Sequence, residues 1–217
     1  MKNVRKFFEK GGGIVEGDKK KLHFGFSNGG HSTIYLDGEH AMNAEVSAGD
    51  LLLESLTNKL QLERGINFEV VVGPERGGIV IANRIAYHSA VYKGKRVSAI
   101  TAIKADGRFV IRPQDHDLIR RMRVLVVNDV CTTGGSINKT TTAVKEAGGN
   151  PIAAAVLWDR GGFEGVERSL GLDLIALCSE KLPVLTEEEC VKTGPCSLGW
   201  GFHPTLGHPS SPVSLPD

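Results

Sequence analysis

The sequence predicts an α/β fold in which a central sheet of about five parallel strands has helices on both faces. Two observations support this fold class. Strand-like and helix-like segments alternate from residue 45 onward, which is typical of parallel strands joined by crossover helices. The strand-like segments are also short and almost continuously apolar, as in residues 124–127, and such strands are usually covered on both faces.

The composition fits one domain with a small appendage and argues against several other classes. The chain has 217 residues, of which 41% are hydrophobic and 24% are charged, the usual mixture of a globular protein. Its net charge of +1 argues against a broad nucleic-acid-binding surface. No apolar segment is long enough to span a membrane, and the first residues lack the apolar region of a signal peptide, so we expect a cytoplasmic protein.

Residues 1–44 predict a small N-terminal lobe. A short apolar helix at residues 4–8 precedes three glycines, and two strand-like segments follow at residues 22–26 and 32–36. The sequence Asn28-Gly29-Gly30 between these segments is typical of a turn. We therefore expect a β-hairpin in this region.

Residues 45–182 predict the α/β core. Leucines at helical spacing indicate a first helix over residues 45–63. Strands and helices then alternate, with strands at residues 68–72, 96–103, 108–112, 124–127, 152–158 and 173–177, and helices at residues 77–90 and up to residue 147. Residues 183–217 are rich in glycine, proline and serine and predict an irregular cap or tail.

Two polar residues that end the strand at residues 124–127 give the strongest functional signal. Asn128 and Asp129 would lie at the carboxyl end of a parallel strand, where open α/β sheets bind ligands. The residues after them are small and open a helix, whose free N–H groups and dipole favour an anion. The pattern predicts sugar hydroxyls on Asn128 and Asp129 and a phosphate on the loop formed by Thr132, Thr133, Gly134, Gly135 and Ser136. The alternative is an ordinary strand–turn–helix whose first turn is capped by a hydroxyl.

Two further strand ends carry an arginine. Glu75, Arg76 and Gly77 belong to a glycine-rich loop over residues 73–78, whose amides and guanidinium suit a pyrophosphate. Arg160 follows Asp159 after the strand at residues 152–158 and suits a planar carboxylate. The alternatives are a plain glycine turn with a solvated Arg76, and a salt bridge at the sheet edge for Arg160.

A cationic hairpin and a group of cysteines complete the candidate features. Lys104, Arg108 and Arg112 flank an Asp-Gly turn, although such a cluster is usually a solvated face. Because nothing indicates secretion, we expect four free thiols, Cys131, Cys178, Cys190 and Cys196. A zinc site is the alternative for the last two, since His203 and His208 follow them, but a six-residue cysteine step is longer than the usual zinc knuckle. His31 and His40 show no ligand-like spacing with carboxylates.

The segment over residues 124–137 closely resembles the phosphoribosyl-pyrophosphate (PRPP) motif of the type I phosphoribosyltransferases, with four hydrophobic residues, two polar positions and a Thr-Thr-Gly-Gly-Ser type loop. Other segments are similar to orotate phosphoribosyltransferases in order and spacing from about residue 20 to 180, namely His31-Ser32 with Tyr35-Leu36, residues 72–78 and residues 157–161. The resemblance implies the type I phosphoribosyltransferase fold, with a hood at residues 1–44, a PRPP-binding core at 45–182 and a C-terminal cap or tail at 183–217.

The resemblance also implies an activity, partners and residue roles. PRPP and orotate would give orotidine 5′-monophosphate and pyrophosphate in pyrimidine biosynthesis, with Mg²⁺ bound mainly through PRPP oxygens and water. The enzyme would be a homodimer in which Lys104 reaches the partner subunit's site. Asp129 and Lys104 would be catalytic; Asn128, Asp129 and residues 132–136 would bind the ribose and 5′-phosphate; Glu75, Arg76, Gly77, Lys104 and Arg108 would bind pyrophosphate; and Arg160, Asn28 and Gly29 would bind orotate.

Two departures from the family pattern leave alternatives open. Asn128 replaces the first acid of the motif, so it brings no charge to hold Mg²⁺ or to stabilise a developing cation. Ser27 stands where some orotate enzymes have a lysine. The alternatives are a phosphoribosyltransferase for a purine or uracil, and a non-enzymatic PRPP-sensing regulator. The balanced charge and the absence of an extra DNA-binding segment argue against the regulator.

Overall fold

The computed structural model describes residues 2–26, 28–94 and 96–207. Within these residues the strands are β1 (Ile14–Glu16), β2 (Leu22–Gly25), β3 (His31–Ser32), β4 (Ile34–Leu36), β5 (Val70–Pro74), β6 (Ser98–Ala105), β7 (Arg108–Val110), β8 (Arg123–Cys131), β9 (Asn150–Asp159), β10 (Leu174–Ser179) and β11 (Gly201–Phe202). The helices are α1 (Lys2–Lys10), α2 (Gly38–Ala44), α3 (Val46–Asn58), α4 (Ile79–Lys93), α5 (His116–Ile119), α6 (Gly135–Glu146), α7 (Phe163–Leu170) and α8 (Glu187–Thr193).

The largest sheet has six strands in the order β10-β9-β8-β5-β6-β7. Its first five strands are parallel, as the sequence predicts, and β7 is added at the edge by an antiparallel hairpin with β6. The order places the carboxyl ends of β5, β8 and β9 next to one another. These are the strand ends that carry the predicted ligand-binding residues.

The apolar strand residues are buried alternately on the two faces of this sheet. Leu125 and Val127 of β8 pack in the cluster that holds α1, α3 and α4, whereas Val124 and Val126 pack against α6 and α7. All four side chains are fully buried. Because both faces of the sheet are covered by helices, consecutive residues of this strand are all apolar.

Helical spacing explains how α3 and α4 attach to the sheet. Leu53 and Leu56 of α3 and Ile81 and Ile85 of α4 recur at three or four residues and are fully buried in one cluster. Each such side chain contributes about 1.5–3 kcal/mol through burial. None of the helices in the described part of the chain is long and apolar enough to cross a membrane.

The N-terminal hood, defined here as residues 14–44, differs from the predicted single hairpin. β2 pairs with β3, but the predicted strand at residues 32–36 is divided, and its second half, β4, pairs with the unpredicted strand β1. Asp37 is the N-cap of α2, and its carboxylate accepts a hydrogen bond of 2.9 Å from the backbone N–H of His40. α1 lies outside the hood, because Phe8 packs edge-on against Trp158 in the core.

The C-terminal cap, defined here as residues 183–207, is more regular than the composition predicts. Thr186 and Glu189 form a capping box that starts α8. A 3₁₀ turn follows, and β11 then pairs in parallel with β2 of the hood. The cap carries the half-buried Trp200, whereas the other tryptophan, Trp158, is fully buried and donates a hydrogen bond from Nε1 to the carbonyl oxygen of Glu180.

Candidate active site

A cavity of about 650 Å³ opens at the carboxyl ends of β5, β8 and β9. Its walls come from three parts of the chain: the hood, the sheet core and the end of the cap. The cavity brings together most of the predicted site residues, namely Glu75, Arg76, Gly77, Lys104, Arg108, Asn128, Asp129, Thr132, Thr133, Gly134, Gly135, Ser136 and Arg160.

The loop between β8 and α6 forms a cradle for an anion. Gly134 lies in the left-handed region (φ 79°, ψ 0°), and the first helical hydrogen bond runs from the N–H of Asn138 to its carbonyl oxygen. The N–H groups of residues 135–137 therefore precede the first helical bond and point toward the cavity end of the helix. With the hydroxyls of Thr132, Thr133 and Ser136 beside them, they offer the donors that a phosphate requires.

Asp129 lines the cavity and is closely approached by two glycines. A Cβ atom on Gly38 would lie 2.5 Å from the Cβ of Asp129, and one on Gly77 would lie 2.8 Å from its Cγ. One carboxylate oxygen accepts a hydrogen bond of 2.7 Å from the N–H of Val130. Asn128 lies beside it, and its amide nitrogen donates to the carbonyl oxygen of Val130, which leaves the side-chain oxygen as an acceptor.

Enclosure changes the acidity of Asp129. Burial, followed by the nearby charge of Asp37, raises its pKa to about 6, although hydrogen bonds from the N–H groups of Val130 and Gly38 act in the opposite direction. The carboxylate is thus ionised at neutral pH and can accept hydrogen bonds from two sugar hydroxyls. Because this pKa is close to neutral pH, mild acidification protonates the carboxylate, which then accepts fewer hydrogen bonds.

The loop between β5 and α4 forms the facing wall. The peptide bond between Glu75 and Arg76 is cis. The Glu75 carboxylate accepts a hydrogen bond of 2.7 Å from the backbone N–H of Lys104, so it ties this loop to β6. The Arg76 guanidinium is largely exposed and forms a 3.4 Å ion pair with Glu39 of α2. Such an exposed pair is weak, so Arg76 remains available to an anionic ligand.

Lys104 and Arg108 lie on a tight hairpin. Ala105 pairs with Arg108, and the two residues between them, Asp106 and Gly107, both have positive φ values of 48° and 76°. This is the geometry of a two-residue turn that matches the twist of the strands. Lys104 and Arg108 line the cavity of their own chain from this hairpin.

Arg160 is a buried cation at the end of β9. Its guanidinium donates hydrogen bonds of 3.2 Å to the carbonyl oxygen of Ile34 and to the hydroxyl of Ser32, and it lies 5.1 Å from the ring centroid of Phe26. Its Nε atom is buried without a hydrogen-bond partner. Burial lowers the pKa of Arg160 to about 10, and among the described residues no carboxylate forms an ion pair with it.

Asn28 and Gly29 lie apart from these residues. They line a separate recess of about 540 Å³ between the hood hairpin and residues 184–188 of the cap. The Asn28 side chain accepts a hydrogen bond from the N–H of Gly30 and so supports the turn. The structure therefore does not bring Asn28 and Gly29 to the cavity that holds Arg160.

Residues 48–170 match the family model described as a phosphoribosyl transferase domain, over more than half of the chain. The chain belongs to the phosphoribosyltransferase family. Its relatives include an orotate phosphoribosyltransferase of Carboxydothermus hydrogenoformans, 34% identical over 154 residues (67% of this chain and 73% of the relative). Another, from Parvibaculum lavamentivorans, is 30% identical over 192 residues (88% and 91%).

Comparison with solved structures agrees with this family assignment. The crystal structure of orotate phosphoribosyltransferase from Aeropyrum pernix has a TM-score of 0.61 and 25% sequence identity to this phosphoribosyltransferase, and the match covers 91% of this chain and 99% of that one. The predicted resemblance and the predicted type I phosphoribosyltransferase fold are confirmed. The segment that resembles the PRPP motif forms the cradle between β8 and α6.

Several cavity residues of this phosphoribosyltransferase were not predicted from the sequence: Phe26, Tyr35, Asp37, Glu39, Lys139, Thr205, Leu206 and Gly207. Lys139 follows Gly135 by one helical turn, so a basic residue at that spacing from the loop was an available signal. The hood and cap residues had no local signal, because they reach the cavity only through long-range pairing.

The cavity also holds a thiol that is unsuited to covalent catalysis. Cys131 is buried, and burial, followed by the charge of Asp159, raises the pKa of its thiol to about 12. A neutral thiol is a poor nucleophile. This agrees with a transfer that needs no covalent intermediate on the phosphoribosyltransferase.

Proposed function

We propose that this phosphoribosyltransferase transfers the 5-phosphoribosyl group from PRPP to orotate, giving orotidine 5′-monophosphate and pyrophosphate. The observation that carries the choice of base is Arg160. A buried guanidinium with an unpartnered Nε is costly, and a planar carboxylate from the ligand would compensate its charge. Orotate is a pyrimidine that carries such a carboxylate. The relatives named as orotate phosphoribosyltransferases support the same reading.

The reaction follows from the arrangement of the cavity. The amides and hydroxyls of the β8–α6 loop would hold the 5′-phosphate, and Asp129 with Asn128 would hold the ribose hydroxyls. A ring nitrogen of orotate attacks the anomeric carbon while the bond to pyrophosphate breaks. Arg76, Lys104 and Arg108 would stabilise the negative charge that develops on pyrophosphate, so catalysis comes from positioning and electrostatics.

Mg²⁺ fits the same arrangement. The cavity wall includes carboxylates of Asp37, Glu39 and Asp129, and the charge of Asp37 already raises the pKa of Asp129. Oxygen ligands are those that Mg²⁺ prefers, so Asp129 and the Asn128 side-chain oxygen would hold the ion through water and PRPP oxygens. When bound, the ion supplies positive charge next to the pyrophosphate.

The test is a steady-state assay with PRPP and a panel of orotate, uracil, adenine and hypoxanthine. Of these four bases we expect only orotate to be turned over. Arg160→Lys should lower kcat/KM for orotate by about 100-fold, because a lysine cannot make two parallel hydrogen bonds to a carboxylate, whereas KM for PRPP should change little. Arg168→Lys on exposed α7 is the matched control. Turnover of another base that is insensitive to Arg160 would reassign the substrate, and PRPP binding without turnover would indicate a sensor.

We also propose a cytoplasmic homodimer. Exposed apolar side chains on the adjacent helices α3 and α4, Leu51, Tyr87, Val91 and Tyr92, support an interface between copies. Because Lys104 lines the cavity of its own chain, the lysine acts within one subunit in this proposal. Mixing inactive Lys104→Ala and Asp129→Asn proteins tests this. Restored activity would mean that the lysine is shared between subunits, as the family resemblance predicts.

A further inference from the structure

Four potential metal ligands meet where the hood touches the cap. They are His23 on β2, His31 on β3, Cys190 on α8 and Cys196 on the 3₁₀ turn that follows. Their ligand atoms all lie within 4.8 Å of one another. None of the four lines the phosphoribosyl cavity. We propose that these side chains form a structural zinc site that attaches the cap to the hood.

The distances fit a tetrahedral centre. The Sγ atom of Cys196 lies 3.3 Å from Nε2 of His23 and 3.3 Å from Nδ1 of His31. Zinc binds imidazole nitrogen at about 2.0–2.1 Å and thiolate at about 2.3 Å, which places neighbouring ligand atoms of a tetrahedron about 3.3–3.8 Å apart. Two ligand pairs already have this separation, and small side-chain movements bring the others to a common centre.

The His23 ring is held so that one nitrogen faces Cys196. Nδ1 of His23 is 3.0 Å from the carbonyl oxygen of Gly201, and a proton shared with that oxygen leaves the Nε2 lone pair directed at Cys196. Such a backbone partner is typical of metal-binding histidines. Phe202 packs against both rings, with centroids 4.3 Å from His23 and 5.1 Å from His31.

Burial and ligand type indicate a closed zinc site. His23, His31 and Cys190 are buried, and the four side chains would fill every position of a tetrahedral centre, as in structural sites. Two thiols with two imidazoles form a donor set that selects zinc over the hard cations. Hydrogen bonding alone satisfies the cluster poorly, because one thiol proton on Cys196 serves only one of the two nitrogens that face it.

This ligand set replaces the one that the sequence suggested. His203 is not part of the cluster with Cys190 and Cys196, and its Nδ1 accepts the N–H of Leu206 at 3.1 Å. His208 lies outside the described residues. The hood histidines take their place because β11 pairs with β2 and brings the cap against the hairpin.

The position of the site suggests its role. The hood ligands precede the cap ligands by about 160 residues or more in the sequence. Beyond Cys196 the chain enters β11 and then reaches the cavity at Thr205, Leu206 and Gly207. A metal ion at the cluster would therefore fix the segment that completes the cavity wall, without touching the substrate.

Metal analysis of the full chain, purified without a metal-affinity resin, tests the proposal. We expect one zinc ion per chain by plasma mass spectrometry, and its loss in the double variant Cys190→Ser/Cys196→Ser. Cys178→Ala, which removes a buried thiol outside the cluster, is the matched control and should keep the metal. Removing zinc with a chelator should also speed proteolytic cleavage within residues 183–207.

A second measurement does not depend on a variant that folds. Wild-type protein stripped of metal under reducing conditions should bind one equivalent of Co²⁺ and develop the visible bands of tetrahedral coordination with a thiolate charge-transfer band in the near ultraviolet. The proposal is overturned if the reduced wild-type protein takes up neither Co²⁺ nor Zn²⁺. It is equally overturned if the double variant retains the metal, or if the bound Co²⁺ is octahedral and shows no thiolate band.

Discussion

Asp129 illustrates how one residue is placed at a cost to the fold. The glycines at positions 38 and 77 leave no space beside it, and burial raises its pKa to about 6. A carboxyl group with a raised pKa favours the folded state while it is protonated, and this contribution is lost as the pH rises from about 4 to about 6. At neutral pH the ionised side chain therefore opposes stability, and we propose that this charge is retained because it binds the ribose.

Replacing this charge should separate activity from stability. We expect Asp129→Asn to lose at least about 100-fold in kcat/KM, since the amide accepts fewer hydrogen bonds from the ribose. At pH 7.5 the variant should be more stable by on the order of 1 kcal/mol, less than the full pKa shift implies because the carboxyl group reaches solvent through the cavity. Thermal unfolding at pH 7.5 and pH 5 measures this. An equal gain at both pH values would contradict the explanation.

The same carboxyl group predicts a pH dependence. The value of kcat/KM for PRPP should fall on the acid side with a midpoint near pH 6, where Asp129 takes up a proton. PRPP phosphates also titrate near this pH, so the control is Asp37→Asn, which keeps an N-cap for α2 and removes a charge that raises the pKa of Asp129. The midpoint should move to lower pH in the variant. An unchanged midpoint would assign the titration to the substrate.

Among the structural elements, the β8–α6 loop depends on the backbone conformation of one glycine. Gly134 has a φ of 79°, and a Cβ atom there would lie 2.5 Å from Cγ2 of Val166 on α7. Gly171, which ends α7, also has a positive φ, of 64°, but a Cβ atom on it would have nothing within 4 Å.

These two glycines give a matched pair of variants. Gly171→Ala should cost about 1 kcal/mol from backbone strain alone and leave PRPP binding intact. Gly134→Ala adds the contact with Val166 and should cost about 1–3 kcal/mol more, with weaker PRPP binding because the cradle is displaced. Urea unfolding and calorimetric titration with PRPP measure the two effects. Equal losses in both variants would mean that the contact with Val166 is unimportant.

Elements determined by residues close together in the sequence could be predicted from it. A buried strand, small polar residues and a helix start within fifteen residues define the phosphate cradle, and the same logic found the loop with Arg76. The Asp106-Gly107 turn was recognisable too, because an Asp-Gly pair between two strand-like segments is typical of a two-residue hairpin turn. The strand predicted at residues 32–36 was divided, since pairing with distant partners decides where a strand ends.

At the scale of the whole molecule, Ser32 joins the hood, the core and the cap. Its hydroxyl donates to the carbonyl oxygen of Pro183 at 2.7 Å and accepts from the Arg160 guanidinium at 3.2 Å. It also accepts the N–H of Ile34. The Arg160 side chain, which lines the cavity from the core, is thus oriented by the hood and, through Ser32, by the cap.

Removing this hydroxyl should loosen all three parts. Ser32→Ala leaves buried polar groups of Pro183 and Arg160 without a partner, which costs about 1–3 kcal/mol. We expect a higher KM for orotate and an unchanged KM for PRPP. Ser55→Ala, which removes an exposed hydroxyl that bonds only within α3, should change stability by about 0.5 kcal/mol or less. Denaturation and kinetic assays distinguish the two variants. Equal losses of stability would mean that the Ser32 hydroxyl contributes no more than an exposed hydroxyl.

Long-range assembly sets the limit of prediction from this sequence. The pairing of β11 with β2 brings Leu206 and Gly207 to the cavity and His23 and His31 to the cap cysteines. Neither grouping has a local spacing signal, because its members are separated by most of the chain. Position within the motif predicts the residues that we propose for PRPP binding, whereas the residues that complete the cavity come together only through long-range pairing.

The two tryptophans lie in different parts of the molecule, and this gives each part its own optical signal. Trp158, packed in the interior, should emit at short wavelength, whereas Trp200 in the cap should emit at longer wavelength and be accessible to acrylamide quenching. In a Trp158→Phe background, fluorescence would report only on the cap. Its detachment could then be timed by stopped-flow mixing, independently of the melting of the sheet.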